Sequence, residues 1–279
     1  MKFKRWGASA LFFTLLGSQP SFAFFKGSSW HLFPVPIFKT LPGEGQTYGL
    51  MPVLTSTGPD GELRSINALA ETYNRITGLS TFTANYIYPS PYSYFYFFGE
   101  LAQHFAREAT VRYVHRPRLD GTFIWEGGFS YLQYPFERFF GFGPRTTSGD
   151  ETNFVSESLT GNAEIGYHIT AAITSSYIFR VDNWRLEPRA LSTVPDTSTV
   201  FAGNPEVVRS TNLTHRWELQ YDTHSTFSFS ETGELFRAAY LTSLRPLGSD
   251  FTFHGYNLYS KITRSFLGDR FTTVVRGQL

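Results

Sequence analysis

The sequence predicts an all-β fold, a transmembrane antiparallel β-barrel of about twelve strands. Three observations carry this. First, strand-length stretches alternate apolar and polar side chains. In 209–222, Trp217, Leu219 and Tyr221 alternate with Arg216, Glu218, Gln220 and Asp222, which gives one aromatic and one charged face. Second, aromatic residues make up 18% of the chain, with 29 Phe and 16 Tyr, while mean hydropathy stays at −0.20. Third, no 18-residue apolar run follows the N-terminal leader, so a crossing by helix is excluded and a crossing by strands is not. A strand-built wall in lipid must pair its backbone groups internally, which demands closure.

The chain opens with MKFKRWGASALFFTLLGSQPSFA, residues 1–23, which has the organisation of a secretory signal peptide. Lys2, Lys4 and Arg5 precede an apolar centre at Ala8–Leu16, and Ser21-Phe22-Ala23 supplies a small-x-small cleavage site. A membrane anchor is the competing reading, but the apolar run is too short for ~30 Å of hydrocarbon. Its removal leaves 21 basic against 23 acidic residues, a net charge near −2 that gives no reason to expect a nucleic-acid partner. The absence of cysteine excludes disulfides, thiolate metal sites and cysteine nucleophiles.

Residues 24–45, with Pro34, Pro36, Pro42, Gly43 and Gly45, read as an extended lead-in to a barrel domain over 46–279. Strands are expected at about 46–56, 63–73, 78–88, 92–104, 107–117 and 121–134, two more within 154–186, then 209–222, 233–243, 250–262 and 269–279. The breaks GPDG (58–61), PSP (89–91) and RLDG (118–121) carry turn chemistry. Within 121–134, Phe123, Trp125, Phe129 and Tyr131 oppose Glu126, Gly128 and Ser130. Ile165, Tyr167, Ile169, Ala171 and Ile173 oppose Glu164, Gly166, His168, Thr170 and Thr174. In 78–88, Phe82, Ala84, Tyr86 and Tyr88 oppose Thr81, Thr83 and Asn85. Tyr94–Phe98 does not alternate, and suits either an interfacial aromatic girdle or a buried strand. Segments 135–153 and 187–208 are too long and polar for tight turns. Barrels of this kind carry long loops outside and short turns inside, yet six strands before 135–153 would put that loop on the wrong side. One early strand is therefore miscounted.

Asp222-Thr223-His224-Ser225, with Gly233 eleven positions after the Asp, resembles the Asp-Thr-Arg-Asp…Gly strand end of the BamA/TamA superfamily, the bacterial surface antigen family. LGSDFTFHGYNLYSKI and RFFGFGPRTTSGDETNF (138–154) resemble the same family; Phe140, Gly141 and Gly143 fall in the aromatic-glycine segment that opens its loop. The similarity covers about 115–120 residues. In physical terms, Asp222 would end its strand and bond the turn backbone. Gly233 would restart the chain where a side chain is awkward, and Gly141 and Gly143 would allow a sharp turn. The resemblance implies an outer-membrane location, contact with outer-membrane lipid and with other outer-membrane proteins, and a part in their insertion or transport. The chain departs from the family in three ways. Residues 24–45 cannot hold a POTRA module. Val275-Arg276-Gly277 is followed by Gln278 and reads as strand, so the family's Val-Arg-Gly-aromatic lid loop is not found. No terminal aromatic follows. A continuation of roughly 50–120 residues is expected on this reading, with 269–279 as the exposed edge of an open, C-shaped sheet.

No catalytic, cofactor-binding or metal-ligating residue is expected. Seven His are present, but His224 and Ser225 are neighbours that would point to opposite faces of a strand, a poor nucleophile–base couple. His168 beside Glu164 reads as a hydrogen-bonding residue. No His-x-x-x-His, phosphate loop or dinucleotide fingerprint appears. The expected facing puts Trp125, Tyr167, Ile169 and Trp217 toward lipid, and Glu126, Glu164, His168, Arg216, Glu218 and Gln220 toward the lumen. A passive pore and a lipid-modifying barrel enzyme are the alternative functions.

Overall fold

In the computed structural model the described residues are 27–41, 45–117, 121–141, 143–188, 191, 193–203, 209–224, 232–266 and 271–278. They form a single antiparallel sheet in which every strand pairs with its neighbours in sequence. The strands are β1 Ser29–Leu41, β2 Gly45–Thr57, β3 Leu63–Asn74, β4 Gly78–Ser90, β5 Ser93–Ala102, β6 Arg107–His115 and β7 Phe123–Phe139. After them come β8 Thr152–His168, β9 Ile173–Glu187, β10 Arg209–Asp222, β11 Gly233–Ser243, β12 Phe253–Phe266 and β13 Phe271–Gln278. The sheet is not closed: β1 and β13 are its two edges.

The expected lead-in is corrected by this arrangement. Residues 29–41 are a full strand, in register with β2 along its length (Trp30 opposite Ser56, Phe38 opposite Tyr48). Pro34 and Pro36 made the segment read as non-strand, because proline lacks a donor. An edge position tolerates that loss. The sheet thus has thirteen strands rather than twelve and begins at Ser29 rather than 46. The missing early strand also removes the sidedness conflict. Seven strands precede the loop after Phe139, so that loop and the long one after Glu187 leave the same end of the sheet. The first of these loops is shorter than expected, since β7 runs on to Phe139 and β8 begins at Thr152.

The register sorts the side chains into two faces. One carries Trp30, Leu50, Leu69, Phe95, Val111, Trp125, Phe129, Ile165, Trp217, Leu219 and Tyr256, all exposed. The other carries the buried Ala68, Ala70, Val114, Ile124, Leu186 and Ala239, with Glu126 only 7% exposed. A single layer buries one face only by bending round it, so the second face is the concave one.

The apolar-out pattern does not hold everywhere. In β4 it is inverted: Phe82, Ala84 and Tyr86 lie on the concave face, and Thr83 and Asn85 on the convex one. Tyr94, Tyr96 and Phe98 of β5 join them, with Tyr86 and Tyr96 ring centroids 4.6 Å apart. The non-alternating run Tyr94–Phe98 therefore serves both faces, since Phe95 packs outward on Tyr113 at 4.4 Å. The concave face is aromatic along β4–β5 and charged along β6–β11.

Candidate functional site

The charged part of the concave face is built by alternation on the six adjacent strands β6–β11. Antiparallel register places Arg112 of β6, Glu126 of β7 and Glu164 of β8 on that face, with Glu126 directly opposite Glu164. Two carboxylates at this spacing repel each other unless cations join them. Arg112 Nε donates to Glu126 Oε1 at 2.8 Å. Arg116, from the loop after β6, reaches Glu126 Oε2 at 3.3 Å and also ion-pairs with Glu164. Asn162 Nδ2 donates to Glu126 Oε1 at 3.4 Å.

A second knot lies two strands along. Arg216 and Glu218 of β10 form an ion pair, and Arg237 of β11 approaches Glu218 Oε1 at 3.0 Å while donating to Gln220 Oε1 at 3.1 Å. Between the two knots lies a polar cavity of about 240 Å³, lined in part by Arg116, Glu164, His168, Glu218, Gln220 and Arg237. His168 is buried, and its Nδ1 is 2.8 Å from Thr174 Oγ1.

All six residues expected to face a lumen therefore share the concave face, and all six are in the charged network or line its cavity. Arg216 takes part through Glu218 alone. Trp125, Tyr167 and Trp217 lie on the convex face; Ile169 sits exposed in the turn after β8. The cations Arg112, Arg116 and Arg237 were missed. Their signal was present for two of them: Arg112 and Arg237 each stand one residue out of step with apolar neighbours, Val111 and Tyr113, Phe236 and Ala238.

The family-like residues gather at one end of β10–β11. Asp222 is the last residue of β10, and its Oδ1 accepts from the His224 amide at 3.0 Å and lies 2.7 Å from His224 Nδ1. Thr223 N donates to the Glu234 carbonyl at 2.9 Å, and Glu234 N donates to Thr223 Oγ1 at 2.8 Å. Gly233 lies under the His224 ring: a Cβ there would meet Cδ2 at 2.7 Å. Ser225 lies outside the described residues. His224 Nε2 points instead to Thr263 Oγ1 at 3.4 Å. This Asp–His–Thr order has the look of an acid–base–hydroxyl relay, but Thr263 is fully buried. A hydroxyl that no substrate can reach is no nucleophile, so the cluster ties the end of β10 to β11 and β12.

At the other end, Phe140 is exposed, and Gly141 and Gly143 take φ values of +93° and +91°, the left-handed region that glycine occupies without strain. Asn153 is fully buried. Its Nδ2 donates to the Glu137 carbonyl at 2.8 Å and to the Pro135 carbonyl at 3.2 Å, and its Oδ1 accepts from the Leu191 amide at 2.9 Å. Helix α1, Thr197–Val200, is held there too, by Thr197 Oγ1 on Thr152 Oγ1 at 2.7 Å and by Phe201 against the Phe139 ring. Comparison of the chain with known protein families, curated proteins and solved structures finds no match. Among the described residues no group of His, Cys, Asp and Glu has the geometry to hold a metal ion.

Proposed function

We propose that this chain forms the wall of a transmembrane β-barrel in a bacterial outer membrane, with its convex face to lipid and its concave face to a wet interior. One observation carries the reading: along β6–β11 the exposed face is the aromatic one and the buried face the ion-paired one, the reverse of a water-soluble sheet. Neighbouring rings line the convex face, with Tyr113 and Trp125 centroids at 4.4 Å, Tyr177 and Trp217 at 5.4 Å, and Tyr240 and Tyr256 at 5.3 Å. Contiguous exposed apolar surface of this kind marks a contact with membrane or protein rather than with water. Closure requires partners for the edges β1 and β13, because unpaired ladder groups in hydrocarbon cost several kcal/mol each.

The role is non-enzymatic and of the surface-antigen kind, helping outer-membrane proteins to insert or be transported. It rests on the Asp222, Thr223 and Gly233 resemblance. Heat-modifiable migration on gels and recovery in the outer-membrane fraction test the barrel; recovery as soluble periplasmic protein ends it. Deletion of the gene, followed by the levels of other outer-membrane proteins, tests the role. The polar cavity between the ion-pair knots favours a second reading, a passive pore, which planar-bilayer conductance distinguishes.

A further inference from the structure

The convex face is apolar over most of its height, but toward the long-loop end one cross-strand row is charged. Register sets Arg107, Gln133, Glu157, Arg185 and Arg209 side by side on β6–β10. Arg185 and Arg209 stand directly opposite each other, a like-charge pair that repels at this spacing. Glu157 Oε2 holds Arg185 Nη2 at 2.8 Å, and Glu187 approaches Arg185 Nε at 3.1 Å, so two carboxylates orient that guanidinium through its Nε–Nη2 edge. Arg107 and Arg209 are exposed and make no ion pair with the described residues. Between the strands lies a cavity of about 210 Å³ lined by Tyr131, Glu157, Leu159, Asn183, Arg185 and Arg209.

Its height on the wall identifies the occupant. On β8, Glu157 and Tyr167 are ten residues apart, and Tyr167 pairs with Phe123 at the opposite margin of the convex face. At about 3.3 Å per residue and a strand tilt of about 40°, that separation is ~25 Å, the height of the apolar band of an outer-membrane barrel. The arginine row thus falls where hydrocarbon gives way to headgroups, and the anions met there are lipid phosphates.

We infer that Arg209, with the outer N–H groups of Arg185, binds the phosphate of an anionic lipid headgroup, one without a compensating ammonium, in the leaflet on the long-loop side. The site rests on the membrane-spanning reading above. A phosphate between the two guanidiniums takes forked hydrogen bonds from each and turns their repulsion into a shared contact. Tyr131 and Asn183 line the same cavity with a hydroxyl and an amide for the remaining oxygens.

The test uses the purified protein in phosphatidylcholine vesicles, with spin-labelled phosphatidylglycerol and spin-labelled phosphatidylcholine as probes. Wild type is expected to immobilise the phosphatidylglycerol in preference. Arg209→Gln should lower that preference about fivefold, the effect of removing one membrane-facing cation. Arg180→Gln on the concave face makes the same change in net charge and should leave it intact. Tryptophan quenching by brominated lipid, read in the same samples, reports insertion. Quenched protein without the preference, or equal losses in the two variants, overturns the site and leaves the barrel standing. Absence of quenching overturns the barrel and the site with it. Displacement by inorganic phosphate at matched concentration would reassign the arginines to free anion and overturn the lipid site.

Discussion

Gly233 shows how one position can be fixed by a neighbour nine residues away in sequence. Its backbone supports the His224 ring, which Asp222 holds through both ring nitrogen and amide. Gly233→Ala would drive a Cβ to 2.8 Å from His224 Cγ and 3.0 Å from its backbone nitrogen. Backbone cannot swing aside as a flexible side-chain tip can. The expected cost is about 1–3 kcal/mol, typical of overpacking, read as a lower unfolding midpoint in detergent. His224→Ala in the same chain removes the ring and should recover part of the loss. A double-mutant cycle with no coupling would mean that the His224 contact is not what Gly233 serves.

At the scale of elements, alternation made the pairing and facing legible in β7, β8 and β10, where Trp125, Tyr167 and Trp217 are separated cleanly from Glu126, Glu164 and Glu218. It failed where other physics intervened. Pro34 and Pro36 hid β1, since the sequence does not say that a segment is an edge. In β4 alternation separated Phe82 and Tyr86 from Thr83 and Asn85 but did not say which set faces inward, because that part of the concave face is aromatic too, a fact set by Tyr94 and Tyr96 across the ladder. The Asn153 anchor was not legible at all, because its partners at Pro135, Glu137 and Leu191 come together only in the fold. Two predictions belong at this scale. Val111 and Thr110 are adjacent on β6 and face opposite ways. Val111→Arg, near mid-height on the exposed face, should cost roughly 2–4 kcal/mol in a bilayer, and Thr110→Arg, beside Glu108, much less. Equal costs would argue for a soluble sheet. Asn153→Ala strips hydrogen bonds from two carbonyls and one amide around a buried site, worth about 1–3 kcal/mol when left unmet. The segment around 191–203 should then be cut faster by added protease, while the strands stay resistant; unchanged cutting would mean that Asn153 does not anchor it.

For the whole molecule the decisive quantity is the parity of the strand count. With β1 included, the connections after β7 and β9 leave one end, and those after β8 and β10 leave the other. A chain exported through a signal peptide and starting β1 from the periplasmic side would present the first end, with helix α1, to the outside. The absence of cysteine from the sequence makes this measurable without background. Thr199, in α1, and Ala171, in the turn between β8 and β9, are both exposed. Thr199→Cys should be labelled on intact cells by a maleimide that cannot cross the membrane, and Ala171→Cys only after the outer membrane is opened. The reverse result would mean that β1 starts from outside, which shifts the arginine row to the other leaflet. Labelling of both on intact cells would remove the membrane from between the two ends. Only that last outcome strikes at the placement itself, because the single strand β9 separates Ala171 from Thr199; the reverse result keeps them on opposite sides and changes only the side from which β1 starts.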